Sequence, residues 1–201
     1  TQLIDKEHDL EVTGSAESAE EAMKAVAKSM PSLMIIDITL KDSSGIELIK
    51  EIRKKYGDVP MLVLSMHDES VFVDRVLKAG ARGYIAKRET TTKIIDAIHH
   101  VLAGRIFVSD NMVDHVLTRY ARRGSAASSP VEGLSDREFE VFNLIGQGLA
   151  NRKIASLLSV SSKTVATYRE RIKEKLNLGS SSELNRYAIS YFQFEEGGRD
   201  R

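Results

Sequence analysis

The segment Leu33-Met-Ile-Ile-Asp37 limits what this chain can fold into more than any other: four apolar residues closed by a carboxylate, with Pro31 just upstream. Such a run is too short for a helix and has no alternating polar face, so it reads as a strand buried on both sides, the habit of a parallel sheet. Pro60-Met-Leu-Val-Leu-Ser65 repeats the pattern and ends in a hydroxyl, and Gly83-Tyr-Ile-Ala86 is a shorter version followed by Lys87. Amphipathic segments separate these runs. Ser18 caps a helical pattern through Met23, Val26 and Met30, and Gly45 to Tyr56 puts Ile46, Leu48, Ile49 and Ile52 on its apolar side, with Arg53, Lys54 and Lys55 where a helix C-terminus favours cations. Val71 to Ala79 stops at Gly80, and Thr90 to Ala103 carries Ile94, Ile95, Ile98, Val101 and Leu102 on one side and ends at Gly104. With Leu10 to Ser15 read as one more alternating strand, strand and helix alternate four times. That predicts an α/β fold with a doubly wound sheet.

In such a sheet the polar groups at the strand C-termini collect along one edge. Asp37, Ser65 and Lys87 each stand at or just past such an end. Any one alone reads as an incidental polar residue, but three of different chemistry on three successive strands make a candidate site. A carboxylate near an ammonium and a hydroxyl can attack a phosphoryl group, provided that cations offset the repulsion between negative oxygens.

Asp37, Ser65 and Lys87, with Gly45 eight residues after the aspartate and Tyr84 three before the lysine, resemble the receiver domain of two-component response regulators over about residues 1–120. The resemblance implies a flavodoxin-like fold and phosphorylation of Asp37 by a sensor histidine kinase. It implies Mg²⁺ held by the Asp37 carboxylate and the Thr39 backbone carbonyl. It also implies a switch in which Ser65 swings toward the phosphoryl oxygen and Tyr84 rotates inward. Two departures stand out. The receiver magnesium site also needs an acidic pair at the end of a first strand, and residues 1–9 read instead as the tail of the first helix. A sheet ordered 2-1-3-4-5 needs that central strand, so about 20 residues, one strand and most of a crossover helix, are expected to precede Thr1. The second departure is Leu40-Lys41, where the family usually has Met-Pro.

Arg122 to Gly133 combines small residues, one Pro and two Gly with no apolar period, and marks a linker over 121–133. Beyond it no strand pattern remains. Ser135 with Glu138 three residues on is a capping signature, opening a helix on Phe139, Phe142, Leu144 and Ile145. Asn151 to Leu158 reads as a short helix, Ser159-Val-Ser161 as a turn and Ser162 to Leu176 as a longer helix whose first turns carry Lys163, Thr164, Thr167, Arg169 and Arg171. This is either a helix-turn-helix offering its second helix to a major groove or a small bundle with a solvated basic face.

Leu134-Ser135, Arg137-Glu138, Glu140-Val141, Gly148, Asn151, Ile154-Ala155, Leu158, Val160-Ser161, Thr164-Val165, Lys175-Leu176 and Glu183-Leu184 resemble the LuxR/NarL-type DNA-binding domain over 134–191, within an all-α unit spanning 134–201. That resemblance implies phosphate contacts from Asn151, Arg152, Lys163 and Thr164, groove contacts from Thr167 and Arg171, and a dimer contact through Ser181 to Tyr191. Ala166, Tyr168 and Glu170 depart from the family's usual residues; for Glu170, pairing with Arg169 or Lys173 is favoured over acceptance from a cytosine amino group.

Charge agrees only weakly with a nucleic-acid partner: residues 1–120 hold 16 basic against 19 acidic residues, and residues 134–201 hold 11 against 9. Zero cysteines exclude disulfides and thiolate metal sites and fit a reducing compartment, the cytoplasm by default. No run approaches the roughly 18 apolar residues of a membrane span. His99 and His100 point about 100° apart with no third ligand at metal spacing, and no glycine-rich phosphate loop or Gly-x-Ser-x-Gly occurs, so an enzyme is not expected. The apolar stripe Met112, Val113, Val116 and Leu117 packs either on the receiver or on the DNA-binding unit. The expected whole is a transcriptional regulator switched at Asp37 and binding double-stranded promoter DNA as a homodimer. The alternative is a receiver-like dimerisation or scaffold module that works without phosphorylation and answers to protein partners.

Overall fold

The apolar runs pair with one another. In the computed structural model, which describes residues 4–41, 43–121 and 129–197, Met34–Ile36 (β1) lies beside Met61–Ser65 (β2), and β2 lies beside Gly83–Ala86 (β3). All three are parallel, in the order β1-β2-β3, with Ile36 opposite Val63 and Ser65 opposite Ala86. Helices intervene: Ala19–Lys28 (α1) precedes β1, Gly45–Tyr56 (α2) and Glu69–Ala79 (α3) fill the two crossovers, and Thr91–Leu102 (α4) and Asp110–Ala121 (α5) follow β3. Side-chain oxygens of Ser18, Ser44, Asp68 and Thr90 each accept a backbone N–H in the first turn of α1 to α4. Leu62 and Ile85 pack with Ile94, Ile95, Ile98 and Val101 of α4 into one buried cluster. The predicted doubly wound α/β arrangement is present in this small parallel form.

Leu10 to Ser15 forms no strand, a correction to the expected fourfold alternation. Parallel strands need a backbone partner, and in a 2-1-3-4-5 order this segment pairs only with the central strand, which none of the described residues supplies. Leu10 still packs against the α4 cluster, so its burial is used while its ladder is not. Phe107 forms an unanticipated bridge: its carbonyl accepts from Tyr84 N–H at 2.9 Å and its N–H donates to Arg82 carbonyl at 2.9 Å, extending the sheet past β3. On α5, Met112 is buried and the helix packs on α3, whereas Val113 and Leu117 are exposed.

The chain divides into two units, Thr1–Gly124 and Ser125–Arg201. Of the expected linker, 122–128 lies outside the described residues. Pro130–Gly133 forms a 3-10 turn whose Val131 is buried, and the turn packs on the helix Ser162–Leu176 of the second unit. That unit is all-helical: Asp136–Gly146 (α6), Asn151–Leu157 (α7), Ser162–Leu176 (α8) and Ser181–Gly197 (α9). The capping box is formed in full, Ser135 Oγ accepting from Glu138 N–H while Glu138 Oε2 accepts from Ser135 N–H. Phe139 and Phe142 meet Phe192 of α9 at ring-centroid separations of 6.1 and 5.4 Å. Gly146 allows this approach, because a Cβ there would run into the Phe192 ring and the Ala188 carbonyl. Inside α6, Arg137 is bonded to Glu140 at 2.7 Å and reaches the Leu158 carbonyl at 2.8 Å, which ties the end of α7 to α6.

Candidate functional site

Strand register brings the first site together. Ile36 pairs with Val63 and Ser65 with Ala86, so the residues following each strand emerge at the same edge. There the Lys87 ammonium pairs with Asp37 Oδ2, and the Lys87 backbone N–H donates to the Ser65 carbonyl at 2.8 Å. Asp37 Oδ1 accepts from Thr39 N–H at 3.3 Å. The turn after Asp37 is closed by Gly45, whose N–H donates to the Ile38 carbonyl at 2.6 Å. Gly45 has to be glycine for a steric reason: a Cβ there would overlap the Asp37 carbonyl oxygen.

Ser65 is fully buried and its Oγ accepts from His67 N–H at 3.2 Å. Tyr84 already lies inward, fully buried, its hydroxyl donating to the His67 carbonyl at 2.7 Å. Burial pushes the phenol up from its ordinary value, only partly opposed by the Ser65 hydroxyl beside it, so the ring is a neutral hydrogen-bonding group at any physiological pH. His67 was not singled out in the sequence, yet it touches most of this network: its Nε2 lies 3.0 Å from Thr39 Oγ1 and its ring packs on Phe72 with centroids 4.7 Å apart. A lone histidine two residues past a strand end carries no distinguishing pattern, so only folding shows its neighbours.

The metal expectation fares differently. Mg²⁺ asks for near-octahedral oxygen coordination anchored by carboxylates. Here the Asp37 oxygens are engaged by Lys87 and the Thr39 amide, and among the described residues no group of three His, Cys, Asp or Glu side chains is placed to hold a metal. Asp37 and the Thr39 carbonyl are too few donors. The residues present do not fit Mg²⁺ unaided.

The second candidate surface is built on α7 and α8. Ser161 caps α8, its Oγ accepting from Thr164 N–H at 3.0 Å and lying 2.8 Å from Thr164 Oγ1, so Thr164 is half-buried at the helix start. Val165, Arg169 and Ile172 turn into the unit, and Lys163, Thr167, Glu170 and Arg171 turn out. Thr167 Oγ1 donates back to the Lys163 carbonyl at 3.1 Å. At the start of α7, Asn151 is half-buried and Arg152 exposed. All six residues expected to contact DNA therefore lie on α7 or α8, four of them exposed and Asn151 and Thr164 half-buried. Arg169 does not join them. It is buried and its guanidinium donates to Asn185 Oδ1 at 2.7 Å, burial drawing its pKa below the ordinary value. Its place in the 3.6-residue period beside Val165 and Ile172 was the available signal. Glu170 pairs with Lys173 at 2.8 Å, as one of the two expected partners. Among the described residues no helix is long and apolar enough to cross a membrane.

Residues 1–99 match the family model described as response regulator receiver domain, and residues 132–188 match that of bacterial regulatory proteins, luxR family. The chain is similar to the oxygen regulatory protein NreC of Staphylococcus epidermidis, 32% identical over 193 residues that cover 93% of this chain and 88% of that one. It is also similar to the transcriptional regulatory protein DegU of Brevibacillus brevis, 30% identical over 195 residues, 90% of this chain and 83% of that one. Among solved structures, RcsB from Salmonella enterica serovar Typhimurium bound to promoter rprA has the same fold, with a TM-score of 0.56 at 22% identity over 94% of this chain and 90% of that one.

Proposed function

Because the chain belongs to the response regulators that join a receiver domain to a LuxR-type DNA-binding domain, and is thus a transcription regulator, we propose that phosphorylation of Asp37 by a sensor histidine kinase switches it and that it binds promoter DNA as a homodimer. In this reading the receiver spans 1–120, a connector 121–133 and the DNA-binding unit 134–201, and the protein works in the cytoplasm. The observation that carries the proposal is the pairing of the Lys87 ammonium with Asp37 Oδ2 beside buried Ser65. An Asp37 oxygen attacks the phosphorus of the kinase's phosphohistidine. The O–P bond forms as the P–N bond breaks, and the electron pair stays on the imidazole nitrogen, which takes up a proton. Lys87 offsets the charge of the arriving phosphoryl group and Ser65 supplies a hydroxyl to one of its oxygens. Since Ser65, Tyr84 and Thr39 all meet through His67, a new acceptor drawing on Ser65 bears on the whole β2–α3 loop. Switching follows only if the phosphate distinguishes two states of the protein.

On the second unit, Asn151, Arg152, Lys163 and Thr164 serve the phosphates, and Thr167 and Arg171 face the groove. The test is acyl-phosphate trapping of the whole chain with a small phosphodonor, paired with promoter binding by wild type and Asp37→Ala. Label at Asp37 with a wild-type-only gain in affinity is expected. Equal, donor-independent affinity of the two proteins refutes the switch. One observation favours a second reading, a receiver kept as a phosphorylation-independent dimerisation or scaffold unit: the described residues do not complete a Mg²⁺ site. That reading expects no label at Asp37 and unaltered DNA binding.

A further inference from the structure

We infer that Glu170 is a specificity-determining residue that accepts a hydrogen bond from the N4 amino group of a cytosine in each operator half-site. The inference rests on the DNA-binding reading above. It begins with the helical phase of α8. Val165, Arg169 and Ile172 are buried, so the side of α8 opposite them is the side a duplex meets, and at 100° per residue that side is centred on Lys163, Thr167 and Glu174, with Glu170 and Arg171 flanking it on either hand, each about 50° from its centre, and Ala166 further round. A recognition helix contacts base edges with its N-terminal residues. Within those turns Lys163 is a donor, Ala166 is apolar and Thr167 has its hydroxyl proton committed to the Lys163 carbonyl. Glu170, in the third turn, is the first carboxylate met along that side, one turn ahead of Glu174, and it can only accept.

An acceptor facing a polyanion is repelled unless it meets a donor. On the major-groove edge guanine presents two acceptors and thymine an acceptor and a methyl group. Adenine offers its amino group with the N7 acceptor alongside, and cytosine presents its amino group with no acceptor next to it. A carboxylate therefore selects cytosine. Two contacts settle its availability. Arg169, the adjacent cation, is drawn into the unit by Asn185. Lys173 holds Glu170 from the C-terminal side at 2.8 Å, yet the glutamate side chain keeps 63% exposure, against 15% for the lysine. The pair is thus a buttressed acceptor, its ammonium sheltered and its carboxylate presented.

The experiment is selection of binding sites from a random duplex library by the full chain, comparing wild type with Glu170→Gln, Glu170→Ala and Lys173→Met. Wild type is expected to select cytosine at one position per half-site by roughly 5-fold or somewhat more over the other bases, the lower end of the range for a bidentate pair, since cytosine offers a single amino group. Gln, which pairs with adenine through both its amide groups, moves that position to adenine. Ala removes the preference there, leaves the other positions intact and raises affinity for unrelated duplex. Lys173→Met, which removes the buttress, is expected to keep cytosine as the selected base with a smaller preference; a Lys173→Met variant that selects a different base at that position assigns the reading to Lys173 and overturns the inference. An unchanged consensus in all three variants overturns it too, while leaving DNA binding established. Failure of wild type to select any site defeats the inference together with the DNA-binding reading beneath it.

Discussion

Replacing Arg137 by Met tests the part of the second unit on which its presentation of α8 depends. Arg137 and Glu140 are 4% and 0% exposed, and the guanidinium holds both the Glu140 carboxylate, at 2.7 Å, and the Leu158 carbonyl, at 2.8 Å. Two buried acceptors lose a cationic donor in the variant. Removing one partner of a buried ion pair costs about 3–5 kcal/mol, and depriving a buried carbonyl adds about 1–3 kcal/mol. Glu140 has a further interaction as well, which places the expected loss at the lower end of that sum, about 4 kcal/mol. For a unit this small, with a urea dependence of about 1 kcal/mol per molar, the midpoint falls by about 4 M. Pulsed hydrogen exchange across a urea series, read on peptides covering 136–146, follows this unit separately from the first. Arg137→Met/Glu140→Leu removes the stranded charge and is expected to recover more than half of the loss. A single variant within about 0.5 kcal/mol of wild type, the scatter of neutral surface changes, or a double variant less stable than the single, refutes the reasoning.

Two other outcomes follow from particular contacts. Gly45→Ala forces a Cβ onto the Asp37 carbonyl oxygen, and overpacking of that kind costs about 3 kcal/mol; the same exchange measurement on peptides covering 34–65, with acyl-phosphate labelling as a second readout, should show both falling, and wild-type stability would rule the clash out. Glu138 is buried, which raises its carboxyl, but the Lys175 ammonium at 2.7 Å and the Ser135 N–H outweigh burial and hold it below the ordinary carboxylate range. A depressed folded value means stability that is full above about pH 4.5 and lost as pH falls through the folded pKa; a urea midpoint for the second unit that falls below pH 4.5 more steeply in wild type than in Lys175→Met is the expected result, and parallel curves would contradict it.

What could be read from residues alone was whatever local pattern decides. The apolar runs at 33–37, 60–65 and 83–86 do form strands, the second and third largely buried, whereas in the first only Ile36 is buried and Met34 and Ile35 are half-buried, β1 having a strand neighbour on one side among the described residues; their shared register then brings Asp37, Ser65 and Lys87 to one edge. Ser18, and Ser135 with Glu138, marked helix starts that the side chains do cap. Non-local pairing was less legible. Leu10 to Ser15 alternates well, but a strand exists only where another backbone receives it, and Phe107 follows Gly104 so closely that its bridge to Gly83 had no run to announce it. Arg169 was grouped with the outward cations by composition, although its phase with Val165 and Ile172 pointed inward to Asn185. His67 became visible only once Thr39, Tyr84 and Phe72 were brought around it.

The amide of Lys87 is bonded to the carbonyl of Ser65. The backbone stations that carry the hydroxyl and the ammonium are thus held at a fixed separation, while each side chain keeps its own rotation. Substitutions at 65 and 87 should accordingly be non-additive in a double-mutant cycle read on Asp37, because neighbours held this close fall within the range at which mutations couple.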